Sequence, residues 1–220
     1  VSRALRVFLG ALLLTTCSTD AIGPGGRVVG VMQPGALLSA AADFGITVDQ
    51  VVLEVRRVSD NSVAFSRTLG QGEFTVNPDD LRITLNLSLT KQTEDFTFTA
   101  TARSGGVDYY AATGTITAVA YQSVSSTPIT PTYVGPGADA TGITLPSATA
   151  LATGASTTLT AVVDVDGTPV SGVPVAFSSS DSTAIIPVRT GLNAASVTAP
   201  ATGSGSVTIT ARTPTALTAS

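Results

Sequence analysis

The chain has 220 residues, 43% of them hydrophobic and only 12% charged, with a formal net charge of −4. That apolar fraction can build packed cores and argues against wholesale disorder, and with no basic run to neutralise phosphates the sequence excludes a nucleic-acid partner. There is no His and no Trp, and one Cys. The commonest general base and metal ligand are therefore missing, and an intrachain disulfide is excluded. An abundance of Gly, Thr, Ser, Ala and Val suits many short strands joined by small-residue turns better than long helices.

The first residues read as an address. Arg3 and Arg6 precede the apolar run Val7–Leu14, followed by Thr15, Thr16 and Cys17 and then by the polar, Gly-rich stretch Ser18–Gly26. A positive flank, a short greasy core and small residues at a cut site are the parts of a secretory signal. The greasy core is far shorter than the ~20 residues needed to cross a bilayer. Leu14-Thr15-Thr16-Cys17 resembles the lipobox of bacterial lipoproteins. The resemblance implies that residues 1–16 are removed as a lipoprotein signal peptide and that Cys17 is the lipidation site. It also implies that the membrane is reached through acyl chains on Cys17. Ser18, standing where an inner-membrane retention signal would place Asp, points within that family to the outer membrane or cell surface. One acyl chain holds marginally and two or more hold stably.

Residues 17–26 are expected to form a flexible tether, with Gly23-Pro24-Gly25-Gly26 breaking regular structure. Arg27–Met32 is a candidate first strand, and Pro34–Asp43 a loop or one helical turn. From Ile46 the period-2 pattern is clear: Val51, Leu53 and Val55 alternate with polar neighbours, Ser59–Ser62 turns, and Val63 and Phe65 return. In Leu81–Thr90 five Leu or Ile residues share one face. Phe96, Phe98, Ala100 and Ala102 repeat the pattern, Ser104-Gly105-Gly106 turns, and Val107–Tyr121 returns as a long strand with a bulge expected near Gly114. Residues 27–127 thus read as an immunoglobulin-like β-sandwich by strand pattern alone. Residues 128–137, with Pro128, Pro131 and Gly135-Pro136-Gly137, read as an extended, semi-rigid linker.

In residues 138–220, Leu159, Ala161, Val163 and Val165 form one alternating strand, Asp166-Gly167 signals a hairpin, and Val173, Val175 and Phe177 are expected to return. Ser178–Ser182 is a polar turn. Ala194–Ala199 and Ser206–Ala211 are further strands, parted at Gly203-Ser204-Gly205. Four phrases in this stretch resemble the bacterial immunoglobulin-like (Big) domains of invasins, intimins and surface lipoproteins. They are Gly154–Ala161, Val163–Val170, Gly172–Asp181 and Ser206–Ala211. The resemblance implies an immunoglobulin-like sandwich with one more closing strand. Only its start fits in Thr213–Ser220, so the chain reads as the N-terminal part of a longer protein. The expected fold is all-β: two tandem immunoglobulin-like sandwiches after a signal peptide.

Candidate chemistry is sparse. Asp164-Val165-Asp166-Gly167 opens like a calcium loop but lacks the later acidic ligands, so a plain hairpin turn is the simpler reading and no metal is expected. Glu94-Asp95 and Asp79-Asp80 are adjacent carboxylates, which a strand points to opposite faces, so neither pair forms an acid/base couple. Tyr109, Tyr110 and Tyr121 could offer an aromatic patch for sugars, although one strand Tyr in the core beside a half-exposed neighbour is the commoner arrangement. Without His a Ser-His-Asp triad is excluded. No catalytic residue and no cofactor are expected. The function anticipated is a non-catalytic, lipid-anchored stalk or adhesion module. The alternatives are a binding module for a glycan or surface protein, and the leader of an enzyme lying beyond residue 220.

Overall fold

The computed structural model of the chain describes residues 26–74, 81–124, 129–147 and 150–220. The protein is mostly β-structure in several sheets, as the composition and alternation anticipate. Leu14, Thr15, Thr16 and Cys17, and the Asp79-Asp80 pair, lie outside the described residues.

The N-terminal half contains β1 (Arg27–Met32), α1 (Gly35–Asp43), β2 (Gln50–Arg57), β3 (Val63–Gly70), β4 (Ile83–Ser88), β5 (Thr93–Ser104), β6 (Val107–Val119) and β7 (Thr132–Tyr133). A five-stranded sheet runs β3-β2-β5-β6-β7, and β1 pairs with β4 in a separate two-stranded sheet, every pairing antiparallel. Alternation places the apolar side of each central strand inward. Val51, Leu53 and Val55 of β2, Phe96, Phe98, Ala100 and Ala102 of β5, and Ile83, Leu85 and Leu87 of β4 join one contiguous buried cluster. β3 has a single strand neighbour and stays largely exposed apart from Leu69.

Within Pro34–Asp43, expected as a loop or one turn, Gly35–Asp43 form a nine-residue helix with Pro34 as its N-cap. Ala-rich composition favours it, but so short a helix is marginal alone. Burial of Leu37, Leu38 and Ala41 on one face against the sheet supplies the rest. The irregularity of β6 also falls elsewhere than expected. Gly114 sits in regular register opposite Phe98, and the shift lies between Ala102 and Arg103 of β5, which face Tyr110 and Asp108. Gly114 is instead the place where the Phe98 ring crosses the backbone. A Cβ there would stand 2.5 Å from Phe98 Cε1.

The C-terminal half holds β8 (Gly142–Thr144), β9 (Ser156–Thr160), β10 (Val162–Val165), β11 (Thr168–Val170), β12 (Ala176–Ser179), β13 (Val188–Arg189), β14 (Ala194–Thr198), β15 (Ile209–Arg212) and β16 (Thr218–Ala219). They form three three-stranded sheets, β11-β10-β8, β12-β15-β16 and β13-β14-β9. The single strand expected through Leu159–Val165 is two strands in different sheets. The switch falls at Ala161, whose N–H donates to Asn193 O at 2.9 Å and whose carbonyl accepts from Asn193 Nδ2 at 2.9 Å. The return from the Asp166-Gly167 hairpin is β11, not Val173–Phe177, and β12 pairs with β15 instead. Ala161, Val163, Val173, Val175 and Ala211 make a small second core. Thr218–Ala219 completes a sheet edge by pairing with Ala211 and Arg212.

Candidate functional site

The C-terminal end of α1 gathers the most unusual chemistry among the described residues. The helix ends on Phe44, and Gly45 follows in the left-handed region at φ +65°. Ile46 N–H donates to Ala41 O at 3.0 Å and Gly45 N–H to Ala42 O at 2.8 Å. These two bonds are the Schellman pattern, which satisfies the last carbonyls of a helix and needs a residue tolerant of positive φ. The helix carries no basic residue in its own last turn. Two cations reach its end from the C-terminal half. The Arg212 guanidinium lies over the Phe44 ring, 4.9 Å from its centroid. The Arg189 side chain packs so tightly across Gly45 that a Cβ there would meet its Cδ and Cζ at 2.8 Å. Cations at this end complement the negative pole of the helix dipole, and a guanidinium over an aromatic face is attracted by the ring quadrupole.

Arg189 is itself held, its Nη1 donating to Leu192 O at 2.9 Å and to Gly191 O at 3.3 Å, and burial lowers its pKa. Beside it lies a hollow of about 160 Å³ lined by Asp43, Ala176, Phe177, Pro187, Arg189 and Ala195. Ala176 of β12 also packs against the core cluster of the N-terminal half.

A tyrosine cluster adjoins this end. Tyr109 and Tyr110, expected to face opposite ways, are both buried, at 7% and 5% exposure. The register shift explains it. With Ala102 opposite Tyr110 and Arg103 opposite Asp108, Tyr109 is the extra residue of a β-bulge, where alternation breaks. Tyr110 meets Tyr133 edge to face, ring centroids 5.4 Å apart. Burial, reinforced by Asp43 and opposed by Arg212, pushes the Tyr110 phenol up to about 12. Burial first, then Tyr109 and Tyr110, raises Tyr133 further above the ordinary range. Tyr121 is 67% exposed and stands outside the cluster.

The connecting segment is built into this region instead of standing free. Thr132 and Tyr133 pair with Ala111 and Tyr110, Val134 N–H donates to Tyr109 O at 2.9 Å, and Tyr133 Oη donates to Pro136 O at 2.7 Å. Gly137 then abuts Val173 in the second core.

The other sequence candidates take structural roles. Asp166 (φ +49°) and Gly167 (φ +80°) form the hairpin turn, Asp164 Oδ1 accepting from Gly167 N–H at 3.1 Å. Glu94 is buried and Asp95 exposed, as opposite faces require; Glu94 accepts from Arg57 and Thr90, and Asp95 from Thr117 Oγ1 at 2.6 Å. Among the described residues there is no group of three or more acidic, His or Cys residues placed to hold a metal. No described helix is long and apolar enough to cross a membrane. Sequence reasoning missed Phe44, Arg189 and Arg212; the only local sign was Gly45 just past an Ala-rich run. No protein-family model, curated protein or solved structure matches this chain.

Proposed function

We propose that the chain is a non-catalytic, lipid-anchored lipoprotein of the bacterial surface or periplasm. Its two β units, immunoglobulin-like and the second of Big type, serve as a stalk that holds a partner or a further module away from the membrane. The anchor reading rests on the lipobox-like Leu14-Thr15-Thr16-Cys17 behind a short apolar core. The observation that carries the stalk reading is the continuous hydrogen-bonded path from β6 through β7 to Pro136. A spacer needs its modules joined without slack, and here two residues of the joining segment, Thr132 and Tyr133, pair as a short strand with β6. Among the described residues, Glu94 is engaged as an ion-pair partner and Asp49, Asp164 and Asp181 accept backbone N–H bonds at turns, which also suits a structural role.

Metabolic labelling of expressing cells with a clickable palmitate tests the anchor. Label is expected on the wild-type protein and none on Cys17→Ala. Equal label on both, or none on either, overturns it.

A further inference from the structure

We propose that the end of α1 is an intramolecular lock, fixing the C-terminal β unit on the N-terminal one so that the two move as a single body. Three independent observations carry this. The cores are unequal: the second has five fully buried apolar residues, whereas the first extends from Val28 to Tyr133. A unit with so small a core gains from being held. The cations that complete the α1 terminus come from the other half of the chain, Arg212 on Phe44 and Arg189 on Gly45, so α1 is best satisfied only when the two halves are docked. The connection is tied at two points, because Thr132–Tyr133 is zipped to β6 and Gly137 abuts Val173. Separate domains joined by polar interfaces ordinarily move relative to one another; here a ring, a backbone cradle and a strand oppose that motion together. The lock is built from α1 and from residues C-terminal to it, none of them in the Leu14–Cys17 segment, so it stands or falls separately from the lipid anchor.

The test is a distance measurement across the junction in the full chain. With Cys17→Ser, nitroxide labels are placed at Lys91→Cys and Ser204→Cys, both exposed positions in opposite halves. Electron–electron double resonance is expected to give one narrow distance distribution. A broad or multimodal distribution in this parent overturns the proposal. In the Arg189→Gln, Arg212→Gln background the distribution is expected to widen roughly two-fold or more, with far-ultraviolet circular dichroism unchanged. A width that stays the same in a folded variant also overturns it. If the double variant does not fold, Arg212→Gln alone is read by the same criterion, since it leaves Arg189 and its two carbonyl bonds in place.

Discussion

Arg57 of β2 reaches Glu94 of β5, Nε to Oε1 at 3.1 Å, and seals that carboxylate inside the first β unit with only 4% of its side chain exposed. Glu94 also accepts from Thr90 N–H at 2.9 Å and Thr90 Oγ1 at 3.1 Å, while Arg57 lies against the Phe96 ring and bonds Ser88 O. Breaking such a pair from one side leaves a charge without its partner in the interior. Glu94→Ala is expected to lower unfolding free energy by about 3 kcal/mol or more, with Glu94→Gln milder because it keeps the shape and an acceptor. Urea unfolding checks the order; a Glu94→Ala midpoint equal to wild type would refute the role.

Gly114 and Phe98 form a second tightly coupled pair. Adding a methyl at Gly114 puts it 2.5 Å from Phe98 Cε1 and 2.7 Å from Cζ, so the ring must move within a close-packed core. Gly114→Ala is expected to cost about 1–3 kcal/mol. In a Phe98→Leu background the same change costs less, and a double-mutant cycle measures the coupling.

Alkaline pH acts on the tyrosine cluster. Tyr110 and Tyr133 have phenols raised above the ordinary value of 10 by burial, so the fold favours their neutral forms. Their contribution is fully present below pH 10 and is lost as pH rises toward the folded-state values, because the unfolded chain ionises first. Urea midpoints are expected to be flat to about pH 9 and then to fall, by at most about 1.4 kcal/mol per pH unit for each phenol. Phe at both positions should flatten that limb, at the separate expense of about 1 kcal/mol for the lost Tyr133 bond to Pro136 O.

At acid pH one sensitive element is the turn after β12. Asp181 Oδ1 accepts from Thr183 Oγ1 at 2.7 Å, Thr183 N–H at 3.0 Å and Ala184 N–H at 3.1 Å, and these bonds lower its pKa. The turn is therefore held above the ordinary carboxylate pKa and loosens as pH falls through the lowered one. Amide hydrogen exchange at Thr183 and Ala184 is expected to quicken in Asp181→Ala while that of β14 is unaltered. Identical rates at the two amides in both proteins would refute this.

What could be read from the chain beforehand was whatever a strand or turn decides by itself. The five-residue apolar face of Leu81–Thr90, the Phe96–Ala102 alternation and the Asp166-Gly167 hairpin depend on period and local φ, and each stands where period and turn chemistry put it. What escaped depends on a partner strand or a distant residue. Alternation runs unbroken through Ala161, yet Asn193 draws the strand from one sheet to another there. The burial of both Tyr109 and Tyr110 follows from the register against Ala102 and Arg103, which neither tyrosine encodes. The junction was least legible, because Arg189 and Arg212 acquire meaning only once α1 exists and ends at Phe44.

The chain has no Trp and four Tyr. Three of them, Tyr109, Tyr110 and Tyr133, sit together where β6 meets β7, and the fourth, Tyr121, faces solvent. Tyrosine ellipticity in the near ultraviolet thus comes mainly from one small neighbourhood of packed rings, with the exposed Tyr121 as background. A spectroscopist watching it would follow the seam between the halves, without attaching any dye.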